Sequence, residues 1–367
     1  MTVTPTITAT VRRGRAREHT AALTIEPAPN SRADALWYAY VARHPNATVF
    51  HEPTWCRAVE HVFGHRGHHL LARRAADVVG VLPLVEVRSL LAGRLLVSVP
   101  YGTYGGILAD DAATCQALAD EAVRLTQTSG ARLLDLRSAE ALVPGLERVE
   151  HYDTYVRELP LHPDELENYL PRRARAATRQ ARQREGADIR HDRQHLAAVW
   201  HLYARSMRRL GSINYPYALF AELFAQLGQR AWLTTLWRAE QLIGGVISLV
   251  HRDTVMPYVI GLDERVRCYG GSNLLYFAIM ERAVRAGLRR FDFGRSRRAN
   301  SGSAGFKRNQ GFEPRQLGYQ RYVPPGLSAP DLTPANRRFN LVRRVWPRLP
   351  LWATRLLGGW LAKSIPG

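Results

Sequence analysis

Cysteine is scarce in this 367-residue chain: Cys56, Cys115 and Cys268 stand far apart, and no CxxC pair occurs. That excludes a disulfide framework and a thiolate zinc site, and it fits a reducing compartment. Long hydrophobic runs are also missing. The longest, Leu242 to Val250, falls far short of the roughly 20 residues that a membrane span needs. The opening stretch TVTPTITATVRRGRAREHT lacks the apolar core of a secretory signal, so a cytoplasmic protein is expected. Acid is the minority charge: 32 Asp+Glu stand against 51 Lys+Arg, a net +19. Lysine itself is nearly absent, so arginine supplies the surplus. Such a surplus favours polyanionic partners such as tRNA, anionic lipid or phosphorylated carriers; a coding bias toward arginine would raise the same count.

What the chain does have is a repeat. LLARRAADVVGVLPLV (70–85) is echoed by TTLWRAEQLIGGVISLV (234–250), and GARLLDLRS (130–138) by GLRRFDFGRS (287–296). The blocks keep their order in both copies. A unit of well over a hundred residues is too long for a solenoid and implies one fold duplicated in tandem. The expected organisation is a mobile N-terminal tail (1–30), a first domain (31–158), a second domain (159–325) and a basic amphipathic C-terminal tail (326–367).

Periodicity places the elements. Pro53 to Phe63 has helical spacing, with Trp55, Val59, Val62 and Phe63 on one face. Leu70–Ala72 and Val78–Val85 read as a hairpin, Leu95–Val99 as a strand entering the loop YGTYGGILADD. Asp110 or Asp111 caps a helix reaching about Thr126, before a strand around Leu133–Leu136. In the second copy, Trp232–Trp237 and Leu242–Val250 form the hairpin and Val255–Gly261 a strand. Leu274–Arg285 is a helix ended by Gly287, and Phe291-Asp292-Phe293 a short strand. Between the copies, LPRRARAATRQARQREG sets Arg172, Arg175, Arg179 and Arg182 on one helical face and Leu170, Ala174, Ala177 and Ala181 on the other. Pro324-Pro325 closes the folded part. In the tail, Pro347 and Pro350 separate two short amphipathic pieces.

Strand, glycine loop, helix, strand is the order of an anion-binding α/β unit. Here the loop is Arg267-Cys268-Tyr269-Gly270-Gly271-Ser272, followed by Asn273. The glycines let the backbone approach an anion, Arg267 adds a fixed cation, and Ser272 caps the helix or donates to a phosphate oxygen. Asp292, between two Phe rings, orients an amine or a cation such as Arg295, or else anchors a backbone amide as Asp135 would in the first copy. The histidines His61, His65, His68 and His69 lack fixed ligand spacing and a Cys or carboxylate set, so no metal is expected. Cys268 precedes a helix but has no positioned histidine, and reads as a small buried residue.

The loop resembles that of the GNAT acyltransferases, Arg/Gln-x-x-Gly-x-Gly/Ala: Arg267, Gly270 and Ser272 match, with Ser replacing the last small residue. The later segment Gly305-Phe306-Lys307-Arg308-Asn309-Gln310-Gly311-Phe312 is similar to the turn where many GNAT enzymes carry a tyrosine acid; Phe306 has no hydroxyl. The tandem pair, the arginine helix, FDFGRS and the Phe-Lys pair together resemble the Fem-type family, closest to the FemAB-like proteins encoded with exopolysaccharide and PEP-CTERM sorting systems. The resemblance covers about Ala47 to Val323. It implies an α/β fold of two tandem GNAT-like domains, each a mixed sheet flanked by helices. It also implies an acyl- or aminoacyltransferase acting on an envelope glycan or its lipid-linked precursor, with acyl-CoA or aminoacyl-tRNA as donor. Lys307 would stabilise the tetrahedral oxyanion, Arg267, Gly270, Gly271, Ser272 and Asn273 would hold the donor, and Tyr104, Tyr258, Phe306, Arg172, Arg175 and Arg179 would line the substrate path. Two other classes stay open: a non-catalytic scaffold recruiting exopolysaccharide or sorting machinery, and a tRNA-binding module built on the arginine stripe. The tail, with Trp and Arg interleaved, is a candidate contact to the inner face of an anionic membrane.

Overall fold

The protein is described here by a computed structural model covering residues 21–28, 31–90, 92–140, 143–330 and 344–367. The first half runs β1 (Leu23–Pro27), α1 (Ser31–Arg43), α2 (Pro53–Phe63), β2 (Arg66–Gly67), β3 (Leu70–Arg74), β4 (Asp77–Leu82), β5 (Val85–Ser89), β6 (Gly93–Ser98), β7 (Leu108–Ala109), α3 (Ala112–Thr128), β8 (Leu133–Leu136), β9 (Glu147–Arg148) and β10 (Tyr152–Glu158). The second half runs α4 (Leu166–Tyr169), α5 (Arg172–Gln183), β11 (Ala187–Arg190), α6 (Leu196–Arg209), α7 (Tyr217–Leu227), β12 (Ala231–Arg238), β13 (Gln241–His251), β14 (Thr254–Leu262), α8 (Gly271–Arg285), β15 (Arg290–Arg297), α9 (Ser301–Asn309), β16 (Arg315–Gln316) and β17 (Gln320–Tyr322). Helix α10 (Leu351–Ala362) follows. The fold is α/β, with mixed sheets flanked by helices, as the family resemblance implied.

Several expected elements fall where the sequence put them. Helix α2 spans Pro53–Phe63 and ends on left-handed Gly64. Asp111 is the cap of α3, accepting from the Thr114 amide at 2.7 Å. Helix α5 buries Ala174, Ala177, Thr178 and Ala181 and exposes Arg172, Arg173, Arg179 and Arg182, with Arg175 partly buried. Two expectations are corrected. The run Val78–Val85 is not one strand: it breaks at Pro83, which has no amide to donate, and its parts enter different sheets. The expected mobile start is partly a strand, since β1 pairs with β3, Leu23 opposite Arg74; residues 1–20 lie outside the described residues.

The first half has a four-stranded sheet, β1-β3-β4-β7, and a six-stranded sheet, β2-β5-β6-β8-β17-β9; the second has seven strands, β11-β12-β13-β14-β15-β10-β16. Strands cross the boundary in both directions: β10 pairs with β15, and β17 pairs with β8. One hydrophobic cluster also spans it, joining Trp37, Phe50 and Trp55 to Val199, Phe220 and Ile247. The repeat shows in β6–α3–β8 and β14–α8–β15, each a strand, a Tyr-Gly-Gly loop, a helix and a parallel partner. The copies differ in one respect. Strands β6 and β8 pair over four residues, Leu95 to Ser98, whereas β14 and β15 pair only at Thr254–Arg290 and Val255–Phe291 and then separate.

Candidate active site between the two halves

The alternation of β15 sets the site. Phe291 and Phe293 are buried in the second-half core, which turns Asp292 to the opposite face. That face, with Leu249 and His251 of β13, Thr254 and Met256 of β14, Arg290 of β15 and Arg315 of β16, floors a cavity of about 550 Å³. The first half roofs it with residues His44 to His51, Tyr104, residues 106–109 and Ser138. His51 stays neutral, because burial pulls its imidazole down to about 3.

Asp292 is 5% exposed, and its Oδ1 accepts the Gly294 amide at 2.7 Å. The Tyr104 hydroxyl bonds both Asp292 and Thr154 Oγ1. Burial pushes the Asp292 carboxyl up to about 6, against these bonds and the charge of Lys307. Lys307, on α9, is 6% exposed; its Nζ donates to the carbonyls of Gly294 (2.9 Å) and Arg295 (3.1 Å) and lies 4.9 Å from the Tyr155 ring. Burial pulls the ammonium down to about 8, partly offset by Asp292. Phe306 packs on Phe293 and Tyr276. Sequence-predicted Asp292, Lys307 and Tyr104 are therefore neighbours, whereas Phe306 lies with Phe293 on the core side of β15.

The glycine loop stands where β14 and β15 have separated. Gly270 is left-handed at φ 76°, and a Cβ there would come within 2.1 Å of the Ala177 carbonyl on α5. Glycine is thus required by contact with the arginine helix as well as by conformation. Among the described residues, the amides of Ser272 and Asn273 have no backbone acceptor, as expected at a helix start. Arg267 is exposed, and Arg238 holds its carbonyl at 3.0 Å. Arg172 and Arg179 project to solvent nearby, while Arg175 bonds Asn168 at 3.2 Å. The Cys268 thiol is raised by burial and the Glu185 charge, which matches an inert small residue.

Arg295 and Tyr258 belong to a second arrangement beside the cavity. The Arg295 guanidinium lies over Tyr152 and Tyr319 (4.8 and 5.9 Å) and donates to the Tyr319 hydroxyl at 3.2 Å. It has no carboxylate partner among the described residues. Tyr258 donates to the Tyr101 carbonyl at 2.9 Å and stacks near Tyr215. Arg137, the repeat counterpart of Arg295, is 3% exposed and pairs with Asp135 at 3.0 Å. Sequence reasoning passed over Arg137, although the echo of LRS in GRS marks it. It also missed Glu52, whose buried carboxylate binds Arg230 (2.5 and 2.8 Å) and His251 Nδ1 (2.6 Å) across the boundary. Burial works to raise that carboxyl, but these bonds outweigh it and hold it below its ordinary value. No local spacing announces such a bond. Among the described residues, no group of three or more His, Cys, Asp or Glu is placed to hold a metal ion.

Residues 170–308 match the acetyltransferase (GNAT) domain family. No curated protein matches the sequence. Among solved structures, FemX is 16% identical, aligning over 82% of this chain and 97% of its own with a TM-score of 0.61. The C-terminal domain of a putative lysylphosphatidylglycerol synthetase from Agrobacterium fabrum is 12% identical over 81% and 93%, TM-score 0.51. A tandem GNAT protein from the clavulanic acid biosynthesis pathway is 15% identical over 82% and 98%, TM-score 0.50. Residues 170–308 are thus similar to a GNAT acetyltransferase domain, and the chain as a whole has a fold similar to FemX and to a tandem GNAT protein.

Proposed function

We propose that the protein is an acyl- or aminoacyltransferase that acylates an amine or hydroxyl of an envelope glycan or its lipid-linked precursor. Asp292 carries this reading: a buried carboxylate with its pKa raised to about 6, on the floor of an interdomain cavity and beside a parted strand pair. A carboxylate poised near neutrality suits a general base. The acceptor nucleophile, lodged in the cavity, attacks the acyl carbonyl. Its proton passes to Asp292, and the ester or thioester bond to the donor breaks, releasing tRNA or coenzyme A. Lys307 supplies the fixed positive charge beside the reacting centre.

The donor lies along the parted strands, its phosphates at the start of α8 against Arg267, Gly270, Gly271, Ser272 and Asn273. The contact of Gly270 with Ala177 supports a phosphate-rich donor, because it seats the small-residue face of the arginine-bearing α5 against that helix start and so brings the helix's positive charge close to it. The Fem-type motifs, and a fold shared with a putative lysylphosphatidylglycerol synthetase, support an envelope acceptor. The test is a transfer assay with acyl-CoA and with charged tRNA, comparing the native protein with Asp292→Asn. Donor binding should raise the melting midpoint, and turnover should fall by at least about a hundredfold in the variant. Undiminished turnover in Asp292→Asn would remove the proposed base.

A further inference from the structure

Helix α10 has two unlike faces. The inner one, Thr354, Gly358 and Ala362, is buried and small. It sits so close to the body that a Cβ on Gly358 would stand 2.5 Å from Asn214 Oδ1. The outer one presents Trp352, Leu356, Leu357 and Trp360 at 70, 72, 41 and 59% exposure. Isolated exposed apolar side chains are ordinary, but two tryptophans and two leucines on one helix are not. Residues 337–367 contain seven Lys/Arg and no acid, and Arg344, Arg348 and Lys363 are exposed. Among the described residues no helix is long and apolar enough to cross a membrane. An outward apolar face flanked only by cations fits the surface of an anionic bilayer, with the indole rings at headgroup depth.

Beyond α10 the chain turns inward. The Tyr101 amide donates to the Pro366 carbonyl at 2.8 Å and the Tyr101 hydroxyl to that of Ala362 at 3.0 Å. Arg137 donates to the carbonyls of Pro366 (3.0 Å) and Gly367 (3.1 Å). A Cβ on Gly367 would meet the Tyr215 hydroxyl at 2.8 Å. Residues 364–367 therefore fill the space bounded by Tyr101, Tyr215 and Arg137, next to Tyr258 and Arg295. Phe50 joins this cage to the cavity, lining the cavity and standing 6.2 Å from the Tyr258 ring.

We propose that α10 is a lipid-sensing latch: its outer face seats on an anionic bilayer, and Ser364–Gly367 is a stopper in the tyrosine–arginine cage, withdrawn when the helix transfers to lipid. Lipid can shift this equilibrium only if it binds the released form better. It does so because release also frees Trp346, 3% exposed when docked, and the half-buried Leu351 and Leu361 to enter the bilayer. The consequence for catalysis rests on reading the cleft as the transfer site; the latch itself is measured without turnover.

The reporter is the Tyr101 amide, whose exchange with deuterium is slowed by its bond to Pro366. Phosphatidylglycerol vesicles should sediment the full chain and speed exchange in the peptide containing Tyr101 by about tenfold or more; phosphatidylcholine vesicles should do neither. Trp352→Glu with Trp360→Glu should weaken sedimentation at least about tenfold and keep Tyr101 protected. Gly358→Leu should deprotect Tyr101 without lipid, and removal of residues 364–367 should deprotect it while leaving sedimentation intact. Sedimentation with Tyr101 still protected would overturn the latch, and absence of binding to phosphatidylglycerol would overturn the lipid surface. Either failure leaves the transferase reading standing, and loss of that reading leaves the latch result standing.

Discussion

One residue, Gly294, ties Asp292 to Lys307: its amide donates to Asp292 Oδ1 at 2.7 Å and its carbonyl accepts from Lys307 Nζ at 2.9 Å. The two ionisable groups are held by opposite ends of a single left-handed glycine, φ 64°, where β15 bulges against β10. Burial shifts them toward each other, the carboxyl up to about 6 and the ammonium down to about 8.

The first prediction is a pH profile. If Asp292 takes the proton, turnover should rise with pH through about 6 and then level. Stability should run the other way. The folded protein holds this proton more tightly than the unfolded chain, so the stabilisation is present below the ordinary value of 3.8 and is lost as pH rises through about 6. Asp292→Asn should then unfold at higher urea than the native protein at pH 8, by on the order of 1–3 kcal/mol, and lose that advantage near pH 4.

Lys307 should be visible in the same profile. Its charge helps keep the Asp292 carboxyl ionised. Lys307→Ala should therefore move the acidic limb above 6, by on the order of one pH unit, and lower kcat by about a hundredfold. A merely structural lysine would leave the limb in place. In the native protein, the lowered ammonium adds stability as pH climbs from about 8 toward the ordinary 10.5, because the unfolded chain binds that proton more tightly. The variant should lack this rise in urea unfolding.

Local pattern explains which parts of this architecture were legible. Helix α5 shows its apolar and arginine faces at 3.6-residue spacing, and α3 shows its Asp111 cap, so both are readable from short windows. The Phe-Asp-Phe alternation exposed Asp292 for the same reason. Elements defined by distant partners were not readable. Glu52 meets Arg230 and His251 at separations of 178 and 199 residues, and nothing near Glu52 foretells either. Pro324-Pro325 looks like the end of the folded part, yet residues 344–367 return to dock on α6 and Arg137. The sequence also cannot show that β14 and β15 part after two pairs while β6 and β8 stay joined, because both copies read as equally good strands.

Gly270 couples the donor loop to the arginine helix, so Gly270→Ala should act through packing. The new methyl would sit 2.1 Å from the Ala177 carbonyl and would also have to hold φ 76°. Displacement of α5 should cost roughly 1–3 kcal/mol in urea unfolding and weaken donor binding. Arg267→Ala, at an exposed position, should weaken donor binding with stability unchanged to within about 0.5 kcal/mol. Equal stability losses in the two would contradict a donor role for Arg267.

The Glu52 cluster should govern the junction between the halves. Glu52→Gln leaves Arg230 and His251 without their carboxylate; because Arg230 is partly solvated, the cost should be on the order of 2 kcal/mol rather than the full penalty of a buried broken pair. The native carboxyl lies below its ordinary value of 4.5. Its contribution is therefore present above that value and is lost as pH falls through the lower folded value. Native and variant unfolding curves should converge in acid and separate near neutrality.

The last prediction concerns the charge on α5. Exposed Arg172, Arg179 and Arg182 lie on the solvent side of α5, the helix whose Ala177 meets Gly270 at the start of α8. If the donor is a charged tRNA, its binding should weaken steeply with salt, because each neutralised phosphate releases counterions. Replacing the three arginines with Gln should flatten the slope of log K against log salt by roughly 0.7–0.9 for each phosphate that is no longer neutralised. These side chains stand in water, so stability should barely change. If coenzyme A is the donor instead, tRNA binding should be weak in both proteins, and a fall in acyl-CoA affinity confined to Arg267→Ala would mark the loop, not the stripe, as the phosphate site. Filter binding of tRNA across a salt series of roughly 50 to 300 mM, beside acyl-CoA titration of the same variants, separates the two donors.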